Sequence, residues 1–99
     1  GVPDVNGCAK GKEFWVELKE IHSGNQLTLR PMQISWIAKR AMHGGQVFVL
    51  ARKNSEIKLF HVDGLEGIKE LVKGGFKSKA LLTLTIPYDW EALNTALLS

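Results

Sequence analysis

A single cysteine, Cys8, stands in a chain of 99 residues, so no intrachain disulfide is available. The histidines are His22, His43 and His61, too scattered for metal-ligand spacing and with no paired nucleophile, which argues against a thiolate-rich zinc site. Cys8 reads as a small buried hydrophobe, and a reducing, cytoplasmic setting fits it best. No stretch approaches the ~20 apolar residues of a spanning helix, and the N-terminus lacks the charged-then-apolar layout of a signal peptide. The expectation is a soluble protein that is not exported and has no membrane partner. Gly44-Gly45 and Gly74-Gly75 read as helix stops, because no glycine-rich strand-to-helix phosphate fingerprint surrounds them. Repeats, low-complexity tracts and linkers are also missing. No initiator Met precedes Gly1, which suggests a fragment or a processed product.

What is present is an ordinary globular balance, 44% hydrophobic and 23% charged residues, enough for one core in a single domain over 1–99. The net charge of +3 suits a polyanionic partner without requiring one.

The chain opens as a β-hairpin, with 2–8 and 13–21 flanking the polar turn Ala9-Lys10-Gly11-Lys12. In the second strand Phe14, Val16 and Leu18 alternate with Trp15, Glu17 and Lys19, so an acid and a base share one face. After a polar loop, Pro31 suits a first helical position, and Ile34, Ile37, Ala38, Ala41 and Met42 recur at helical spacing up to His43-Gly44-Gly45. Gln46 to Arg52 reads as a strand buried on both faces, paired through Asn54-Ser55-Glu56 with Ile57 to Val62. Asp63 and Glu66 form a capping-box pattern before a helix with a stripe of Leu65, Ile68, Leu71 and Val72. Ala80 to Ile86 alternates like a strand, and Asp89 suits the cap of a last helix carrying Trp90, Leu93 and Leu97.

If Lys10-Gly11 is a two-residue turn, stepping outward along the hairpin sets Asp4 opposite Glu17. Two carboxylates about 5 Å apart repel unless a cation lies between them, and an oxygen-seeking divalent ion is the obvious candidate. Lys19, one pleat along, is suited to hold a phosphate oxygen or to assist deprotonation of a water.

Pro3-Asp4, a hairpin, and Glu17-Leu18-Lys19 on an amphipathic strand resemble the PD-(D/E)xK nuclease signature. Gly-Val-Pro-Asp, Phe-Trp-Val-Glu-Leu-Lys, Leu-Arg-Pro-Met-Gln and Gly-Gly-Gln-Val-Phe-Val-Leu-Ala-Arg extend the likeness to its VRR-NUC, Holliday junction resolvase-like branch. About the first half of the chain is covered. The resemblance implies an α/β fold with a restriction-endonuclease-like core, a mixed central β-sheet flanked by helices. The family's N-terminal helix, with its further acidic residue, has no counterpart before Pro3. The implied activity is metal-dependent DNA endonuclease hydrolysis, structure-specific and directed at branched DNA, by a homodimer. The implied roles are Asp4 and Glu17 as ligands of Mg²⁺ or Mn²⁺, the Leu18 carbonyl as a further ligand, Lys19 as catalytic, and Gln33 as support.

Lys10, Lys12, Arg30, Lys39, Arg40, Arg52 and Lys53 are candidate contacts to DNA phosphates, although basic residues at turns and helix ends are more often simply solvated. Trp15, on the face of Glu17, reads first as core and second as a base-stacking platform; Trp36 and Trp90 read as core or interface aromatics. Two other classes compete with the enzyme: a catalytically incomplete DNA-binding or scaffolding relative, and an unrelated assembly module in which Asp4, Glu17 and Lys19 form a surface cluster.

Overall fold

The computed structural model describes residues 5–9 and 12–98, with side chains from residue 14 onward. The first two strands, β1 (Val5–Ala9) and β2 (Lys12–Ile21), pair antiparallel with Ala9 opposite Lys12 and Val5 opposite Val16, the register a two-residue turn demands. Asp4, Lys10 and Gly11 lie outside the described residues. After the loop, α1 (Pro31–Met42) forms, then β3 (Gln46–Lys53), which lies parallel to β2 with Glu17 beside Val49 and Lys19 beside Ala51. Parallel neighbours need a crossover, and α1 provides it. Pro31 occupies the first helical position, and Lys39 and Arg40 sit in the last turn, where cations oppose the partial negative charge of the helix end.

A tight turn at Asn54 (φ 56°) returns the chain as β4 (Glu56–Val62), antiparallel to β3. Helix α2 (Gly64–Gly74) and a 3-10 turn, Gly75–Lys77, lead to the short edge strand β5 (Leu82–Leu84) and to α3 (Trp90–Leu98). The result is a mixed five-stranded sheet in sequential order, β1 to β5, with a radius of gyration of 12.8 Å, close to the ~13 Å of a compact chain this long.

Two apolar layers cover the sheet. Against one face, Ile37 of α1 and Ile68, Leu71 and Phe76 from the α2 region pack on Val47, Val49, Ala51, Phe60 and Val62. Against the other, Leu93, Ala96 and Leu97 of α3 pack on Val16, Phe48 and Leu59. Strand β3 is therefore buried on both sides, as its unbroken apolar run implies.

The structure corrects four sequence expectations. Asp63 precedes α2 but makes no side-chain cap, and Glu66 pairs with Lys69 instead of reaching back. Leu65 and Val72 are exposed over nearly half their surface; at about 100° per residue they flank Ile68 on the side away from Leu71, at the edge of the face that meets the sheet. The strand expected over Ala80 to Ile86 is only three residues long, Leu82–Leu84, paired with Leu59–Ile57 of β4. Of the two readings of Trp90, core or interface, the structure removes the first: Trp90 is exposed and leans on Tyr88. The Asp89 cap does form, its Oδ1 accepting the Ala92 N–H at 3.0 Å.

Candidate functional site

The alternation of β2 sends Trp15, Glu17 and Lys19 toward α1 and Val16 and Leu18 toward the opposite face. Glu17 is the buried charged side chain among the described residues, with 6% of its surface accessible. A carboxylate out of water is costly unless it is hydrogen-bonded and paired. Both needs are met from α1 and from its own strand. Gln33, in the first turn of α1, donates Nε2–H to Glu17 Oε1 at 2.5 Å. Lys19 Nζ lies 3.9 Å from the same oxygen and donates to Gln33 Oε1 at 3.0 Å. Gln33 Oε1 also accepts the Arg30 backbone N–H at 3.0 Å, the reciprocal half of a capping box. Gln33 thus caps the helix and supports the site in one geometry: capping the helix start fixes the amide that bridges Glu17 and Lys19.

The aromatic residues beside this cluster are structural. Trp15 meets Trp36 edge to face at 4.8 Å, and Arg40 places its guanidinium 5.1 Å from the Trp15 ring and 4.9 Å from the Trp36 ring. Arg40 so covers a tryptophan pair, an arrangement its helix-end position did not reveal.

The remaining basic candidates are spread over the molecule. Arg30 and Lys39 are exposed at the two ends of α1. Lys53 closes β3 on the α1 side, with Nζ 3.4 Å from Asn25 Oδ1. Arg52 points to the other face, where it hydrogen-bonds and pairs with Glu20 beside a groove of Leu18, Leu50 and Ile57. That hydrogen bond and the guanidinium charge hold the Glu20 carboxyl below its usual range and raise Arg52 in turn. Lys12 opens β2; its side chain, and Lys10 entirely, lie outside the described residues.

As ligands for a cation, the described residues offer the Glu17 carboxylate and, between it and Lys19, the backbone of Leu18, which runs beside Leu50. Oxygen donors of this kind suit a hard ion such as Mg²⁺. No group of three His, Cys, Asp or Glu side chains comes together among the described residues, and Asp4 is outside them. Helix α3 covers the sheet face opposite Glu17, which sets Asp89 and Glu91 apart from the Glu17 cluster. Among the described residues no helix is long and apolar enough to cross a membrane. Compared with protein-family models and with curated proteins, the chain matches none.

Proposed function

We propose that this chain is the core of a Mg²⁺- or Mn²⁺-dependent DNA endonuclease with a restriction-endonuclease-like fold, related to the PD-(D/E)xK nucleases. One observation carries the reading: a buried carboxylate and a lysine ammonium, side by side on a strand, locked by the amide of a capping glutamine. In this reading Glu17, Asp4 and the Leu18 carbonyl would hold the cation, and the hard-oxygen donor set is what fits it. A divalent ion supplies, when bound, Lewis-acid polarisation of the scissile phosphate and a lowered pKa for the attacking water.

The chain's own residues do the rest. Lys19 keeps its ammonium next to the carboxylate, where it offsets negative charge developing on a phosphoryl oxygen. Gln33 holds both side chains in one orientation, so no reorganisation is needed as the phosphate arrives. Arg30 and Lys39 are suited to contact flanking phosphates. Branched DNA as substrate, a homodimer as the working unit and a cytoplasmic setting complete the proposal; symmetric sites suit a symmetric junction.

Nicking of supercoiled plasmid and of a four-way junction with Mg²⁺, Mn²⁺ or EDTA tests it. Metal-dependent cutting should fall at least about a hundredfold in Glu17→Ala and Lys19→Ala. Cutting unchanged in both variants, or no metal-dependent cutting by the parent chain, overturns the assignment.

A non-catalytic DNA-binding relative is the second reading, favoured by one feature: Glu17, Gln33 and Lys19 are already tied to one another by hydrogen bonds and an ion pair. The same assay, with DNA binding retained and cutting absent, selects it.

A further inference from the structure

The sheet continues past Lys19 into a second polar feature that the Glu17 cluster does not use. Gly75 takes φ +60°, and a Cβ there would lie 1.9 Å from the Asn25 carbonyl oxygen, so the loop after β2 and the 3-10 turn after α2 meet backbone to backbone. The Phe76 N–H donates to that same carbonyl at 2.7 Å and closes the contact. Asn25 is thereby pinned beside the ends of β3 and β4. There an open cavity of about 440 Å³ is lined by Asn25, Lys53, Ser55, Lys58 and Lys77, with Glu56 as the one carboxylate among its residues.

Three ammonium groups against one carboxylate leave an excess of positive charge in this cavity. The contacts that hold the lysines use only part of their capacity, since an ammonium has three donors. Lys58 Nζ donates to the Phe76 carbonyl at 2.8 Å and lies 4.5 Å from the Phe76 ring, which braces it without neutralising it. Lys53 Nζ approaches Asn25 Oδ1 at 3.4 Å, leaving the Asn25 amide donors for another acceptor. A donor-rich, cationic cavity matches an oxyanion with several acceptor oxygens, such as a phosphate group.

Its position relative to the cluster is set by the sheet. Lys19 lies beside Ala51, and Lys53 is two residues further along β3 on the same face, about 7 Å by strand rise. We infer that the Asn25–Lys53–Lys58–Lys77 cavity is a phosphate-binding site that grips the DNA backbone at a phosphate flanking the bond presented to Glu17 and Lys19. The strand's identity rests on the nuclease reading; the oxyanion chemistry rests on the lysines.

Two arms test it, using Lys53→Gln/Lys77→Gln and leaving Lys58, which braces Phe76, in place. In the first, inorganic phosphate is titrated into the labelled protein and backbone amide shifts are followed. Saturating shifts at Asn25, Ser55 and Lys77 that vanish in the double variant support the site; shifts absent there, or unchanged in the variant, overturn it. In the second, a fluorescent single-stranded oligonucleotide is bound across a salt series. The double variant should bind about tenfold more weakly, with the slope of log K against log salt reduced by about 1. A charge-matched Lys69→Gln/Lys73→Gln variant on α2 should keep the parental slope. Phosphate shifts with identical oligonucleotide affinity and slope in parent and double variant identify a free-phosphate site and sink the strand assignment. If the parent cuts no DNA yet the slope difference persists, the nuclease reading falls and the phosphate site stands.

Discussion

Gln33 is the residue on which the Glu17 cluster turns, since its one amide serves a carboxylate, an ammonium and a helix N-terminus. Replacing it with Leu keeps most of the volume and deletes all three bonds, leaving the buried Glu17 carboxylate without its amide donor. The expected cost is about 1–3 kcal/mol, the penalty for an under-satisfied buried polar group, read as a lower urea midpoint with an unaltered slope. A midpoint equal to the parent's would mean that the amide bridge contributes nothing. The exposed Glu20–Arg52 pair makes a different, pH-linked statement. Because Arg52 depresses the Glu20 carboxyl in the folded chain, its contribution is present above the ordinary carboxylate range and is lost as pH falls through the depressed value. Its size is small at such an exposed site. Following the Glu20 side-chain carboxyl by NMR should give a midpoint below the usual range, moving back up in Arg52→Gln; the same midpoint in both proteins refutes the pairing in solution.

Among the connections between elements, Gly75 is the most constrained position. Gly75→Ala must accept both a positive φ and a Cβ driven into the Asn25 carbonyl, whereas Gly24→Ala meets a similar φ of +67° with open space around it. Strain alone is worth about 1–2 kcal/mol, so Gly24→Ala should lose roughly that much and Gly75→Ala clearly more. Thermal melts of the two variants make the comparison, and equal losses would show that the loop yields freely at Asn25. At the last helix, Asp89→Ala should cost about 1 kcal/mol through the lost cap to Ala92. The elements most legible in the sequence are those whose signals are local. The β1–β2 register followed from a two-residue turn, the start of α1 from Pro31, and the two-sided burial of β3 from its apolar run. The pairing of Glu17 with Lys19 was legible for the same reason, because period-two alternation is a property of one strand. What escaped depended on distant partners: Arg40 over two tryptophans, Lys58 on the Phe76 carbonyl, and Gly75 against Asn25 join positions with no shared local pattern. The capping box at Asp63 failed in the opposite sense, since its pattern was present but Glu66 turned to Lys69.

At the scale of the whole molecule the two faces of the sheet are held unequally. One is covered by α1 and α2 with Ile37, Ile68, Leu71 and Phe76 buried, and the other by α3, a nine-residue helix with no buried residue. A helix that short gains little from its own hydrogen bonds, so its stability comes from the half-buried Leu93, Ala96 and Leu97 on Val16, Phe48 and Leu59. Strand β3 sits between two neighbours with both of its faces covered, and its parallel pairing to β2 spans the whole α1 crossover. Local opening free energy should therefore rise from α3 to β3. Native-state hydrogen exchange should find the Val47 and Val49 amides open only with global unfolding, and the α3 amides open at a cost several kcal/mol lower. That opening uncovers Phe48 and Leu59 while leaving Glu17, Lys19 and Gln33 assembled on the opposite face. Conditions that melt α3 should thus expose an apolar patch, read by dye binding, before they disturb the Glu17 cluster. Equal protection in α3 and β3 would instead make the molecule one cooperative unit, with the acidic–basic cluster lost in the same transition as the last helix.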